Sequence, residues 1–246
     1  MSIQLKVHPS FFKEFATKTW ISPSEIIKEL VENAFDEDAT KVLITILKDG
    51  SIVVEDDSGM DAEGIEKFLL LGSPHKKIES VSPKLERIRT GRYGTGRLSF
   101  LTSFASMKIK TKKNNYSKCL IIDENSINQL FTGNSLLNEV KEKQLSRDGT
   151  ELSLNNVKMN IDVAFIKIPT LRGRLYFKSP DKMKLERDGG ISILPKKSIS
   201  LSLNNLVPAG EATVIDAGTA VIAGKKVRII KVVPDGDKTD IILTKI

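Results

Sequence analysis

The chain has 246 residues, of which 40% are hydrophobic and 28% are charged, and its formal net charge is +7. This composition is typical of a globular protein with one large domain or one medium domain and a small companion, and no apolar run approaches the roughly 18 residues that a membrane span needs. The single cysteine, Cys119, excludes an internal disulfide and a multi-cysteine zinc site, and the polar start lacks a signal-peptide core, so we expect a cytoplasmic protein without membrane contact.

The positive charge is concentrated in the C-terminal third of the chain. Residues 1–160 carry 23 Lys and Arg against 22 Asp and Glu, whereas residues 161–246 carry 15 against 9. A basic face of this kind attracts polyanions such as DNA through counterion release. It is also typical of a solvated surface that keeps a protein soluble, and charge alone slightly favours that second interpretation.

The first predicted elements are a helix and an antiparallel hairpin. Ser22 and Pro23 form a helix-start signal. The residues that follow at helical spacing give one apolar face, formed by Ile26, Ile27, Leu30, Val31 and Ala34. Residues 41–47 and 51–54 then alternate as two strands around the turn signal Asp49-Gly50.

The later pattern changes from mixed helices and strands to short strands alone. The sequence predicts a helix over 61–71, a long mobile loop over 72–89, a helix over 98–104, and strands over 107–112, 116–122 and 150–154. Beyond about residue 160 it predicts short strands over 191–194, 198–203, 219–223, 227–233 and 240–244. We therefore predict a first domain over 1–160 and a basic β-rich extension, or small second domain, over 161–246.

Three segments of the first hundred residues carry polar groups suited to chemistry. On the predicted helix, Glu29 and Asn33 are one turn apart and Asp36 is nearly in line with them. A carboxylate can polarise an attacking water, and an amide oxygen is a suitable ligand for Mg²⁺. Taken alone, however, this stripe fits the solvent-facing side of an amphipathic helix equally well.

The second segment is acidic and the third is rich in glycine. Residues 55–57 place three carboxylates directly after an apolar strand, where one of them could accept a hydrogen bond from an adenine amino group. An acidic turn is the alternative, because the ligand spacing of a calcium loop is missing. Residues 90–97 lack both the P-loop and the dinucleotide pattern, but they offer accessible backbone N–H groups at a helix start, a suitable phosphate site.

In this order, the three segments resemble the GHKL ATPases. That group includes heat-shock-ninety chaperones, DNA gyrase B and topoisomerase VI B subunits, MutL-type repair proteins, Microrchidia ATPases and sensor histidine kinases. A fourth family element, a Gly-Thr pair that opens a late strand, is matched by Gly149-Thr150. The resemblance covers roughly residues 20–155. It implies an α+β fold, the two-layer Bergerat sandwich with a mixed, mainly antiparallel sheet, to which the β-rich extension is added.

The resemblance also implies a role for each matched residue. Glu29 would be the general base for the hydrolytic water, and Asn33 would bind the Mg²⁺ that bridges the phosphates of ATP. The remaining residues expected to contact the nucleotide are Asp36, Asp56, Gly59, Met60, Gly91, Gly94, Gly96, Arg97 and Thr150. Gly91, Gly94 and Gly96 would form the loop over the phosphates, with residues 72–89 as the lid, and Thr150 would help to hold the adenine directly or through water.

The second motif departs from the family pattern. The family has Asp-x-Gly-x-Gly, whereas residues 55–59 lack the first glycine. Either Asp56 is the adenine-binding acid and one residue has been deleted, or Glu55 takes that role and Asp57 occupies the glycine position. We prefer Asp56, because Asp is the residue type of the family.

The resemblance implies an ATP-driven conformational switch, and a homodimer that forms when ATP is bound. Salt-sensitive DNA affinity in the basic extension would favour a role in a DNA transaction over a chaperone role. Phosphotransfer to protein is an alternative, and ATP binding without turnover is another. The extension itself is open to three interpretations: a transducer-like module, a separate small β domain, or extra strands on the main sheet.

Overall fold

The structure is a computed structural model of the chain, and it describes residues 23–72, 78–91, 96–129 and 137–158, residues 14 and 94, and a series of later segments. Those later segments are residues 166–168, 175–177, 182–184, 191–193, 198–208, 213–216, 219–222, 225–235 and 238–245. Within these residues, no helix is both long and apolar enough to cross a lipid bilayer.

The main helices all belong to the first 158 residues. They are α1 (Pro23–Asp36), α2 (Ala62–Leu69), a 3-10 helix (Gly96–Thr102) and α3 (Glu124–Gln129). The six strands of this region are β1 (Lys41–Ile46), β2 (Ile52–Asp56), β3 (Phe104–Lys113), β4 (Tyr116–Asp123), β5 (Asn138–Glu139) and β6 (Gly149–Val157).

The residues beyond 160 that the structure describes form strands almost throughout, as the sequence predicts. These strands are β7 (Ile166–Ile168), β8 (Leu175–Phe177), β9 (Lys182–Lys184), β10 (Ile191–Ile193), β11 (Ser198–Ser202), β12 (Leu206–Pro208), β13 (Thr213–Asp216), β14 (Thr219–Ile222), β15 (Lys225–Asp235) and β16 (Lys238–Lys245). All five predicted strands are present, whereas the shorter ones, such as β7 and β8, carry too few residues for a recognisable alternation.

The main sheet has seven strands in the order β11-β1-β2-β6-β3-β4-β5. The predicted α+β class is confirmed, but every pairing described in this sheet is antiparallel rather than mixed. A second sheet has the order β13-β14-β15-β16-β9, and two further strand pairs join β10 to β7 and β12 to β8.

Helix α1 packs on the main sheet through the apolar face that its sequence predicts. Ile26, Ile27, Leu30, Val31 and Ala34 are each no more than 5% exposed. They share one core with the inward residues of β1, β2, β3 and β6. Burial of such a face supplies most of the stability of a helix in a globular domain, so this packing fixes the rotation of α1 about its axis.

One strand of the predicted extension belongs to the main sheet. Strand β11 pairs with β1, and Leu201 and Leu203 are buried in the core of the first domain. Leu203 N also donates a hydrogen bond to Thr40 O over 2.8 Å. Residues 198–202 are therefore an extra strand on the main sheet, which is one of the three interpretations of the extension. The boundary near residue 160 stays a prediction.

Two segments differ from their predicted form. The helix predicted over 98–104 is a 3-10 helix that ends at Thr102, because the fully buried Phe104 already begins β3. The sequence predicts a mobile loop over 72–89, of which residues 73–77 lie outside the described residues. Its described part, from residue 78, is hydrogen-bonded to the end of α1 and closed by a bridge between Val81 and Ile88.

Candidate functional site

The inner face of the main sheet changes from apolar to polar along one lateral row. Asp56 on β2 lies opposite Thr150 on β6, and Thr150 lies opposite Thr111 on β3. Directly opposed residues of neighbouring strands share a face of the sheet, so the three polar side chains are neighbours. The adjacent row on the same face is apolar and consists of Ile44, Val54, Leu152 and Ile109.

A cavity of about 730 Å³ lies between this row and the helices. Its apolar walls include Leu30 and Ala34 of α1, Phe68 of α2 and Leu152 of β6. The predicted site residues that line it are Asn33, Asp56, Gly59, Met60, Arg97 and Thr150. The lining therefore combines an apolar patch with many charged and polar groups, and such a mixed cavity can hold a small molecule that has both apolar and polar parts.

The other predicted site residues lie outside the lining of this cavity. Glu29, Asp36, Gly91, Gly94 and Gly96 are not among the described residues that line the cavity. Asp36 is hydrogen-bonded to the beginning of the glycine segment, and Glu29 lies against its end. The carbonyl of Gly94 accepts a hydrogen bond from Gly72 N over 3.4 Å.

The carboxylate of Asp56 is held by the turn that follows it. Its Oδ1 accepts hydrogen bonds from Ser58 N and Ser58 Oγ, each over 2.9 Å, and from Gly59 N over 3.4 Å. Oδ2 receives no hydrogen bond from the residues that the structure describes, although the side chain lines the cavity. Burial raises the pKa of Asp56 above its ordinary value, against the opposing effect of these hydrogen bonds.

Asp56 and Glu55 lie on opposite faces of the sheet, and only Asp56 lines the cavity. Asp57 instead joins the ends of β1 and β2, because its carboxylate accepts hydrogen bonds from Thr40 and Lys41. Burial acts to raise the pKa of Asp57, but these hydrogen bonds outweigh it and lower the pKa. Of the two alignments of the second motif, the geometry therefore favours the one that places Asp56 in the site.

The shortened turn after Asp56 still needs its glycine. Gly59 has a φ of +69°, and a Cβ at this position would overlap the carbonyl oxygen of Lys112 on β3. Met60 N donates to Thr111 Oγ1 over 2.8 Å, so the turn is fastened to β3 by both its backbone and its packing. These contacts hold the turn in place and keep Asp56 in the row.

Glu29 lies against the end of the glycine segment. A Cβ on Gly96 would overlap Oε2 of Glu29, so the carboxylate occupies the space that the missing side chain leaves. Gly96 does not have a positive φ, and its backbone would accept alanine without strain. The glycine is therefore required at this position by the close approach of Glu29.

Asp36 fixes the beginning of the glycine segment. It is fully buried, and its Oδ1 accepts hydrogen bonds from Thr90 N over 2.7 Å and from Thr90 Oγ1 over 2.9 Å. Its Oδ2 accepts a third from Gly91 N over 2.8 Å. The geometry thus gives Asp36 contacts with the loop, while its predicted contact with a nucleotide stays a prediction.

Arg97 packs beneath the cavity at the end of α2. Its Nη1 donates to Lys67 O over 2.8 Å, and the guanidinium lies 5.1 Å from the centre of the Phe68 ring. Burial lowers the pKa of Arg97 to about 10, although Glu37 acts in the opposite direction, so the side chain stays charged at neutral pH. A cation at a helix C-terminus is favourable, so the contact with α2 already engages the Arg97 side chain, whose predicted contact with the nucleotide stays a prediction.

Sequence reasoning missed the residues that hold segment 78–91 against α1. Arg87 and Arg89 donate to backbone carbonyls at the end of α1, those of Phe35 and Asp36, each over 3.1 Å. Asp38, whose φ is +66°, accepts from the Ser82 hydroxyl and from backbone N–H groups at 84 and 85. The alternation of Arg87 and Arg89 in a charged loop was the available signal, but nothing in the sequence showed which carbonyls they reach.

Residues 21–155 match the family model described as histidine kinase-, DNA gyrase B-, and HSP90-like ATPase. The matched range covers more than half of the chain and includes every predicted site residue. The chain belongs to this family. In its GHKL domain, Asn33, Asp56 and Thr150 line one cavity, which agrees with an ATP-binding domain.

Three MutL proteins illustrate the relatives of this GHKL chain. The DNA mismatch repair protein MutL of Aquifex aeolicus (strain VF5) is 33% identical over 94 residues, which are 37% of this chain and 22% of that protein. MutL of Petrotoga mobilis (strain DSM 10674 / SJ95) is 28% identical over 159 residues, or 62% of this chain and 24% of that protein. MutL of Clostridium botulinum (strain Eklund 17B / Type B) is 35% identical over 96 residues, or 37% and 14%. The chain spans less than a quarter of the length of these curated relatives.

Substitution of Asp36 tests its role as the anchor of the glycine segment. In Asp36→Asn a side-chain NH2 group replaces the oxygen that accepts a hydrogen bond from Gly91 N. Two donors then face each other at this position. We expect a loss of about 2–4 kcal/mol in the free energy of unfolding, measured with denaturant. Asp49→Asn in an exposed turn is the control, with a change below about 0.5 kcal/mol. Equal small changes in both variants would contradict the anchoring role.

Gly96→Ala tests the close approach of Glu29. The added methyl group displaces the Glu29 carboxylate, so we expect a modest loss of stability in the wild-type background and almost none in Glu29→Ala, where the obstacle is absent. A double-mutant cycle from denaturant unfolding measures this coupling, which we expect to be about 0.5–2 kcal/mol. Additive effects of the two substitutions would show that the methyl group meets something other than Glu29.

Proposed function

We propose that this chain binds Mg-ATP in the cavity and hydrolyses it, and that the nucleotide drives a conformational change of the domain. The observation that carries the proposal is the Asp56–Thr150 pair of the polar row, which lines the cavity together with Asn33 and an apolar patch. The patch consists of Leu30, Ala34, Phe68 and Leu152. An adenine ring fits such a cavity through its apolar faces. Its amino group would donate to Oδ2 of Asp56, the oxygen that the Ser58–Gly59 turn leaves available.

The residues present fit a magnesium ion that is bound together with phosphates. No group of three or more His, Cys, Asp or Glu side chains that could hold a metal occurs among the described residues. Mg²⁺ commonly needs no such cage, because it keeps water ligands and takes oxygens from the substrate phosphates. Asn33, which lines the cavity, would supply the amide oxygen. When bound, the ion would neutralise charge that develops on the phosphates.

Glu29 is the proposed general base. Its carboxylate lies one helical turn from Asn33 and beside Gly96, at the end of the glycine segment whose first N–H groups are fixed by Asp36. In this position it can accept a proton from a water molecule aligned near the terminal phosphate, a contribution of roughly 10²–10⁴-fold in rate. The backbone N–H groups of the segment would bind phosphate oxygens, as they do at other glycine-rich helix starts.

Steady-state hydrolysis and binding of Mg-ATP by the wild type, Glu29→Ala and Asp56→Asn test this proposal. We expect the wild type to bind and hydrolyse ATP, and Glu29→Ala to bind it with turnover reduced by roughly 10²-fold or more. Asp56→Asn should bind ATP about 10- to 100-fold more weakly, because an amide donor replaces the acceptor for the amino group.

The stability of Asp56→Asn separates lost recognition from lost folding. Since the pKa of Asp56 is raised in the folded protein, the ionised carboxylate is less favourable there at neutral pH than in the unfolded chain. Asn keeps Oδ1 as an acceptor for Ser58, so the melting temperature should be unchanged or higher. A wild type without ATP affinity would refute the function, and phosphate release unchanged in Glu29→Ala would refute the base. Phosphohistidine formed from labelled ATP would instead favour phosphotransfer.

We further infer that the switch serves a DNA transaction and includes an ATP-dependent homodimer. Two observations support this: the similar proteins are DNA mismatch repair proteins, and residues 161–246 carry the excess positive charge. A chaperone-like ATPase or an ATP-binding scaffold would not need such a distribution of charge.

DNA affinity at several salt concentrations tests this inference on the full chain. We expect the logarithm of the binding constant for a duplex oligonucleotide to fall linearly with the logarithm of salt concentration. Reversal of charge at Lys225 and Lys226 should weaken binding several-fold and flatten the slope, whereas Lys48→Glu, at an exposed position of the net-neutral region, should change it little. If the chain does not bind DNA even at low salt, the inference of a DNA transaction fails and the chaperone-like ATPase becomes the favoured alternative.

A further inference from the structure

Thr111 is a fully buried hydroxyl next to the site that no matched motif includes. It receives a hydrogen bond from Met60 N over 2.8 Å. Its Oγ1 lies 3.3 Å from Gly149 O and 3.2 Å from Thr150 Oγ1. One oxygen atom therefore contacts both the turn that follows Asp56 and the Thr150 hydroxyl, the two sides of the polar row.

The hydroxyl of Thr111 has one proton and two acceptor positions. Met60 N–H occupies one acceptor position, so the proton can be given either to Gly149 O or to Thr150 Oγ1. If Thr111 donates to Gly149 O, the hydroxyl of Thr150 must itself donate to Thr111 to keep the hydrogen bond between the two hydroxyls. If Thr111 donates to Thr150 Oγ1, then Thr150 accepts this hydrogen bond and its own proton remains available for donation to a ligand. The two arrangements turn Thr150 into an acceptor or a donor towards the cavity.

The chemistry of adenine selects one of these arrangements. Its amino group is a donor, and the adjacent ring nitrogen N1 is an acceptor. If Asp56 accepts from the amino group, then N1 faces the next polar side chain of the row, Thr150, and needs a donor there, directly or through one water. A hypoxanthine or guanine edge presents the opposite pattern, with an acceptor O6 and a protonated N1.

We propose that Thr111 is a positioning residue that determines base specificity, because its hydroxyl donates to Thr150 and thereby directs the Thr150 proton towards N1 of the base. This inference rests on the proposed binding of ATP in the same cavity. Thr111 does not itself touch the nucleotide. The close packing of Gly59 against Lys112 and the bond from Met60 hold the Thr111 oxygen in place, so the direction of its donation is coupled to the position of Asp56.

Three nucleotides separate the two contacts of the base. ATP makes both; 1-deaza-ATP has a CH group in place of N1 and loses only the Thr150 contact; purine riboside triphosphate has a hydrogen in place of the amino group and loses only the Asp56 contact. Binding constants for all three are measured on the full chain as wild type, Thr111→Val and Thr111→Ser. Val has nearly the shape of Thr without the hydroxyl, and Ser restores the hydroxyl alone.

We expect Thr111→Val to reduce the preference for ATP over 1-deaza-ATP by about 3- to 10-fold, the effect of one hydrogen bond. Its preference for ATP over purine riboside triphosphate should stay within about twofold, and Thr111→Ser should restore the wild-type ratios. Equal losses for all three nucleotides would show a structural role only and would overturn the inference, as would unchanged ratios. A wild type that binds none of the three would refute the proposed ATP function as well, which distinguishes the two failures.

A second pair of variants covers the case in which Thr111→Val does not fold. Thr111→Cys keeps a weak donor of similar size, and we expect it to give an intermediate loss of the preference for ATP over 1-deaza-ATP. Thr150→Val should lose the same preference, and Thr111→Cys should then have no further effect on that ratio. A further loss in the Thr150→Val background would mean that Thr111 acts by another route, and it would overturn the proposal.

Discussion

The carboxylate of Asp36, at the last residue of α1, is shielded from water and accepts three hydrogen bonds from Thr90 and Gly91. A buried carboxylate without such donors is costly, so the glycine segment cannot leave this position without exposing or neutralising the charge. Arg87 and Arg89 add donors to the carbonyls at the end of α1, which that helix cannot satisfy internally. As a result, the helix that carries Glu29 and Asn33 and the segment expected to bind phosphate behave as one unit.

The sheet supplies the other half of the site by a single change of residue type. Along β2, β6 and β3 the inward residues are apolar until one lateral row, where Asp56, Thr150 and Thr111 replace them. A planar heteroaromatic ring has apolar faces and polar edges, and the apolar patch of the cavity beside one polar row has the matching arrangement. The raised pKa of Asp56 is a consequence of the same placement, because a carboxylate at the border of a core is only partly solvated.

The class of the fold and the residue types of the site could be predicted from the sequence, whereas the register of the strand pairing could not. The apolar face of α1 and the polar stripe beside it follow from helical spacing, which is a local property. Whether Asp56 or Glu55 faces the cavity depends on the pairing of β2 with β6, and these strands are separated by nearly a hundred residues. Thr111 was hidden for the same reason, since a threonine in an alternating strand is ordinary until its partners are known. The position of β11 was equally unpredictable, because strand propensity does not say which edge a strand will join.

The pairing of β1 with β11 has a consequence for how the domain is made. Thr45 and Ser198 share a hydrogen bond of 2.7 Å although 153 residues separate them. During synthesis the first hairpin leaves the ribosome long before β11 exists, and an exposed strand edge is a template for wrong pairings. Closing so long a loop also costs entropy before the contact is gained, which slows folding. The sheet under the site is therefore completed only after β11 has been synthesised, and a polypeptide that ends before β11 would present β1 to other chains.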